Sequence, residues 1–252
     1  PGLNDREEHF YNIKNHLVPK RAVKLSTIHD YLVSVLTNQS PVTHTSDAAS
    51  LGFFDLRHHH FDNIGLLEAG IDPEILPKVV SKTSIAGSTN CDFLPDGIPV
   101  AVAIGDNQAS FIGSMTNPDN SILVNVGTGS QISCIVNGLP EKCDMDCRPL
   151  TEGLYLLAGP SLCGGRAYAI LEKFLRETTE LVSGHRIDSA YSSMSKVMTE
   201  YIEPSQPLIV DTTFSGTRQE PERKGAIRNI DIANLTMPNL CNGVMNGMVK
   251  EL

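Results

Sequence analysis

A chain of 252 residues, 40% hydrophobic and 19% charged, has the composition of a globular protein with room for one large or two smaller domains. Its net charge of −9, with no Lys/Arg cluster, argues against general nucleic-acid binding. No apolar run approaches the ~20 residues a membrane helix needs. The first eight residues have no signal-peptide character, so the expectation is a cytoplasmic protein with no membrane partner.

In chain order, a polar opening gives way to a helix that Ser26 is placed to cap, with Leu25, Ile28, Leu32, Val35 and Leu36 on one face and an end near Asn38. A short helix from Asn63 to Ala69 is closed by Gly70, and a second short element lies between Pro73 and Pro77. The Ser/Thr/Gly-rich stretch from Ser81 to Gly97 reads as a crossing between two domains, 1–92 and 93–252. The apolar run Ile98 to Ile104, broken only by Pro99, reads as a buried strand, with Gly105-Asp106-Asn107-Gln108 beyond it and a helix-like stretch from Ala109 to Met115. Ile122–Val126 and Gln131–Val136 form a β-hairpin with Gly127-Thr128-Gly129 at its tip. After a strand at Leu154 to Ala158 and the turn Cys163-Gly164-Gly165 comes a helix from Arg166 to Leu181, with Ile170, Leu171, Phe174 and Leu175 inward. A helix from Ile187 to Tyr201, a strand at Leu208–Val210 and a helix starting near Pro238 complete the chain. That last helix has no C-cap before Leu252, and no strand precedes the first helix, so both ends read as cut from something longer.

Asp106 is the leading candidate for chemistry. A carboxylate just beyond a strand suits a general base for a hydroxyl nucleophile, and Asp is equally a preferred helix cap. The Gly127-Thr128-Gly129 tip suits close approach of a phosphate to backbone amides, though glycines also sit at hairpin tips for the turn alone. One loop offers a proton acceptor and the other a phosphate cradle, a pairing that suggests phosphoryl transfer to a hydroxyl. The amides opening the helix after Cys163 suit a phosphate or a ribose, or merely a tight turn. His58-His59-His60 reads as a solvated loop without partner acids, so no metal is expected. The six cysteines read as reduced thiols. His29-Asp30 reads as a partly exposed pair in the first helical turn.

Together these segments resemble the FGGY carbohydrate kinases. Thr27-Ile28-His29-Asp30-Tyr31, Ser46-Asp47-Ala48-Ala49-Ser50-Leu51-Gly52-Phe53-Phe54, Leu76-Pro77 with Ser84-Ile85-Ala86-Gly87, Val102–Ser110 and Val124–Gln131 follow in family order over most of the chain. The resemblance implies an α/β, actin-like/ribonuclease-H-like fold of two domains about a cleft. Residues 1–92 would end the sugar-binding domain, the first domain being incomplete, and 93–252 would be most of the nucleotide-binding one. It implies ATP and Mg2+ as cofactors, a small-molecule sugar as partner, and transfer of the γ-phosphate to the terminal primary hydroxyl of sedoheptulose. Xylulose, ribulose or glycerol are the alternatives, or nucleotide and sugar binding without catalysis. On this reading Asp106 is the base, Asn107 or Gln108 helps hold the sugar, and Gly127, Thr128, Gly129 and Gly165 face the nucleotide. The family's N-terminal Gly-Thr-Thr phosphate loop and its later glycine-rich adenosine motif have no counterpart here, so the isolated chain is expected to be inactive. The unpaired edges of a shortened domain would invite association, with a homodimer as one form.

Overall fold

The computed structural model describes residues 11–217 and 219–252, the side chain of Asp119 excepted. The reading of the first eight residues lies outside them. The chain divides into two compact units, one reaching to Ile122 and including Ser133–Ala158, the other made of Leu123–Ile132 and Gly159–Leu252.

In unit 1, α1 (Ile28–Thr37) is capped by the Thr27 side chain, which accepts from the Asp30 N–H at 3.2 Å, and ends at Asn38 in the left-handed region. Its buried residues are Asp30, Val33 and Thr37, while Ile28 and Leu32 stay exposed, so the packed face is not the apolar one read from the sequence. Strand β1 (Val42–His44) runs directly into α2 (Thr45–Ala48). The hairpin β2 (Phe54–Asp55) and β3 (His60–Phe61) precedes α3 (Asn63–Glu68), and Gly70 follows at φ +76°. β4 (Lys78–Val80) pairs with β1 in parallel, Val42 opposite Lys78. Ala48, Leu51, Phe61, Leu66, Ile71 and Leu76 form the apolar core. Burying them supplies the driving force that holds the short elements together.

β5 (Ile85–Ser88) pairs antiparallel with β6 (Pro99–Ala101). The stretch 81–97 therefore folds back within unit 1 instead of crossing between units. β6 is a three-residue strand with both ends exposed, not a buried strand through Ile104, and it begins at Pro99, which has no N–H for a ladder. Next comes α4 (Asp106–Ser114), with Phe111 fully buried. The compact units part at residues 122, 132 and 158, and Asp106 lies in unit 1.

In unit 2, β7 (Ile122–Val126) turns at Gly127–Gly129 into β8 (Ser130–Asn137), only the first residues of which belong to this unit. β9 (Asp146–Thr151) pairs with β10 (Leu154–Ser161) antiparallel through Ala158, back in unit 1. Unit 2 continues with α5 (Gly164–Ser183), α6 (Tyr191–Thr199), β11 (Ile209–Asp211) paired to β12 (Ala226–Arg228), and α7 (Met237–Glu251). Its core joins Cys163, Ala167, Leu171, Met194, Val210, Cys241 and Val244. Leu171 is inward as expected and Leu175 packs at the core edge, but Ile170 and Phe174 are exposed. α7 lies close on β11 because Gly243 and Gly247 face it: a Cβ at 243 would stand 2.8 Å from Val210 Cγ2.

Candidate active site

The residues around Asp106 form a polar cluster inside unit 1. Gly105 is the N-cap of α4 and Asp106 its first residue, so the carboxylate is not the cap but sits exposed at the helix start. Its Oδ1 accepts from the backbone N–H of Asn107 at 2.6 Å and from Asn107 Nδ2 at 2.9 Å. Gly105 is locked from behind. Its N–H donates to Ser46 Oγ at 2.9 Å, and Ser46 Oγ lies 2.8 Å from His44 Nδ1. The Ser46 N–H also donates to that Nδ1 at 3.2 Å, which makes Nδ1 an acceptor and lets the Ser46 hydroxyl donate to it as well. Burial pushes the His44 pKa down, consistent with a neutral ring.

Beneath this loop lie two buried carboxylates. Asp47 is 4% exposed, with Oδ1 3.8 Å from His29 Nδ1 and 3.4 Å from the position a Gly105 Cβ would take. Asp47 Oδ2 has no hydrogen-bond partner. Burial raises the Asp47 carboxyl to about 6; Asp30 and Asp106 push the same way and His29 pulls against them. Asp30 is fully buried, not partly exposed as the sequence suggested. Burial raises its carboxyl too, with the Thr43 and Thr27 hydroxyls pulling it down. Asp47 borders a cavity of about 490 Å³ lined also by His29, Ser46, Gly105, Asp106 and Arg148 among others. That is the size of a small-metabolite site.

Of the expected sugar-holding residues, Gln108 lines the cavity but is 2% exposed, and its Nε2 donates to Pro149 O at 2.8 Å. Its Oε1 would stand 2.6 Å from a Cβ at Gly105, so this side chain supports the loop. Asn107 holds Asp106 Oδ1 instead of lining the cavity. Sequence reasoning singled out neither Ser46 nor Asp47 on chemical grounds. The structure supplies the signal that the sequence lacked: the polar run Thr43-His44-Thr45-Ser46-Asp47 is buried throughout, and buried polar groups need a reason to be there.

In unit 2, Gly127, Thr128, Gly129 and Gly165 do come together. The Gly165 N–H donates to Gly127 O at 2.8 Å and the Arg166 N–H to Thr128 O at 3.1 Å. Two of the amides opening α5 are thus used by the hairpin tip. Neither Gly127 nor Gly129 has positive φ, so the turn itself is not why they are glycine. At Gly129 the reason is close approach. A Cβ at Gly129 would stand 2.8 Å from Ser161 O, and one at Gly165 2.6 Å from Gly127 O. Beside Gly165, a second cavity of about 590 Å³ is bordered by Tyr168, Ser195, Met198, Met245 and Met248.

The histidine run also differs from its reading. His59 turns away at φ +56°, with Nε2 2.9 Å from the Tyr155 hydroxyl, whereas His58 and His60 fall on one side with Asp55 beside them. There is a partner acid after all.

Residues 4–113 match the model for the FGGY family of carbohydrate kinases, N-terminal domain. The chain is 26% identical over 237 residues to human sedoheptulokinase, a match covering 90% of this chain and 49% of that protein. It is 32% identical over 241 residues to the xylulose kinase of Streptomyces rubiginosus, covering 75% of this chain and 49% of the relative. Among solved structures it is similar to Plasmodium falciparum glycerol kinase with ADP, at a TM-score of 0.79 and 17% identity, covering 98% of this chain and 50% of that one. The chain spans about half the length of the curated relatives it matches. These likenesses and the mixed helix–sheet architecture give the fold as α/β, of the actin-like/ribonuclease-H-like class.

Proposed function

We propose that this chain, whose residues 4–113 match the N-terminal domain of the FGGY carbohydrate kinases, carries the sugar-side chemistry of an ATP-dependent sugar kinase, with Asp106 as the general base. The observation that carries this reading is the exposed Asp106 carboxylate on a doubly anchored loop, beside a metabolite-sized cavity and over a buried second carboxylate. Oδ1 is occupied by Asn107, so Oδ2 is the oxygen that takes the hydroxyl proton. As that proton transfers, the sugar oxygen bonds to the terminal phosphorus, and the bond to the bridging oxygen breaks to release ADP. Ionised Asp47 adds a second negative charge beneath the loop that carries Asp106.

Gly127, Thr128, Gly129 and Gly165 are assigned to the nucleotide side, and the methionine-lined cavity beside Gly165 suits an apolar base. The amides of Gly165 and Arg166 are already bonded, so phosphate contact would fall to the hairpin tip and not to the start of α5. Magnesium takes oxygen donors. The Asp47 carboxylate would offer its unpartnered Oδ2, and the ion would offset phosphate charge. Among sugars, sedoheptulose is the first choice, on the likeness to human sedoheptulokinase.

A coupled ADP-release assay on the intact protein, run over sedoheptulose, xylulose, ribulose, gluconate and glycerol, tests both levels. Asp106→Asn is expected to lower turnover about 10²–10⁴-fold while sugar binding is kept, the range for loss of a general base. Retained turnover in that variant defeats the assignment of Asp106. Preference for another sugar moves the substrate and leaves the base in place.

A further inference from the structure

The β2–β3 hairpin brings together three side chains with no part in the chemistry above. One donor atom from each of Asp55, His58 and His60 lies within 4.8 Å of the other two. The two imidazole rings stand nearly parallel, 17° apart with centroids 5.9 Å from each other. His60 Nδ1 is 3.0 Å from Phe61 O, a bond that leaves Nε2 as the free lone pair. A histidine ligand is commonly oriented through its second nitrogen in just this way. Asp55 Oδ2 lies 2.6 Å from His58 Nδ1, while Oδ1 accepts from the N–H groups of Arg57 at 2.8 Å and His58 at 3.1 Å.

The backbone beneath these side chains is fixed. Phe54 and Phe61 meet edge to face at 5.3 Å, with Phe61 in the core of the unit. On the other side of the loop the Tyr155 hydroxyl donates to Leu56 O at 2.7 Å and meets His59 Nε2. The hairpin is therefore pinned at both ends, and Asp55, His58 and His60 project from a held frame.

We propose that Asp55, His58 and His60 form a binding site for a late divalent transition-metal ion of the zinc type. Two imidazoles and one carboxylate match the preference of such ions, whereas Mg2+ and Ca2+ want oxygen shells. Bond lengths of about 2.0–2.1 Å put tetrahedral donors roughly 3.3 Å apart, so Asp55 Oδ2 and His58 Nδ1, now 2.6 Å apart, must open slightly and the His60 donor must come to the same spacing. Both histidines are exposed and free to rotate that far. The ion replaces the hydrogen between Asp55 Oδ2 and His58 Nδ1, and that hydrogen moves to His58 Nε2.

Titration of the full chain with zinc chloride in excess Mg2+, followed by calorimetry, tests this without reference to kinase activity. One equivalent should bind, and His58→Ala, His60→Ala and Asp55→Asn should each weaken it at least about tenfold, the scale for disturbing a ligand shell. His185→Ala, an exposed histidine in the other unit, should leave affinity within about twofold. No stoichiometric uptake by the unaltered chain, or equal uptake by a His58→Ala/His60→Ala double variant whose circular dichroism is unchanged, overturns the proposal.

Discussion

The two regions assigned to chemistry solve opposite physical problems. Around Asp106 and Asp47 in unit 1, ionisable groups are packed together with several polar atoms left unsatisfied, so the region stores electrostatic tension. At the Gly127–Gly165 junction in unit 2, there are few side-chain atoms at all. Backbone meets backbone, and its amides are consumed by carbonyls. The first region should respond to charge and pH, the second to volume.

The sharpest break of that contrast is a single methyl group at Gly164. Its Cβ would overlap Ser130 Oγ and stand 2.6 Å from the backbone of Gly129. Gly164→Ala should cost unit 2 about 3 kcal/mol or more by urea denaturation, independent of pH, as for overpacking of a tight site. A cost below about 1 kcal/mol would mean the junction can open.

Asp47→Asn probes the other side. A carboxyl raised on folding binds its proton more tightly in the folded state, so the stability it lends is full below the ordinary value of 3.8 and is lost as pH climbs to about 6. Asn should therefore look better at pH 7 than at pH 3.5, relative to the parent, by up to about 3 kcal/mol. A pH-independent difference would show that Asp47 ionises normally. In activity, the parent should lose turnover as pH falls through about 6, and the variant should lack that limb.

Ser46→Ala leaves the buried Gly105 N–H without its acceptor. A loss of about 1–2 kcal/mol and a lower kcat at unchanged KM are expected, since the loop under Asp106 loosens. The smallest effect is a control for both regions. Gly113 in α4 has open space where a Cβ would go, so Gly113→Ala should stabilise by about 0.5–1 kcal/mol through helix propensity alone.

How much of this was legible in the sequence follows the same divide. The Asp106 loop and the hairpin tip were found because strand, turn and glycine signals are local. Their physical roles were not. Gly129 read as a turn glycine, yet it is small because the Ser161 backbone comes close, a relation between segments some 30 residues apart. Asp30 read as part of a partly exposed pair, and only the packing of α1 buries it. The apolar faces of α1 and α5 misled for a related reason. Periodicity marks which residues are apolar, while neighbours decide which are covered.

The central claim is that the Asp106 carboxylate faces a sugar hydroxyl while Thr128 faces the terminal phosphate. A crystal structure of the intact protein with sedoheptulose and a non-hydrolysable ATP analogue tests it most directly. The account predicts the terminal hydroxyl within about 3.2 Å of Asp106 Oδ2, and the γ-phosphate against the Thr128 tip. A sugar bound away from Asp106, or a phosphate bound away from Thr128, contradicts it.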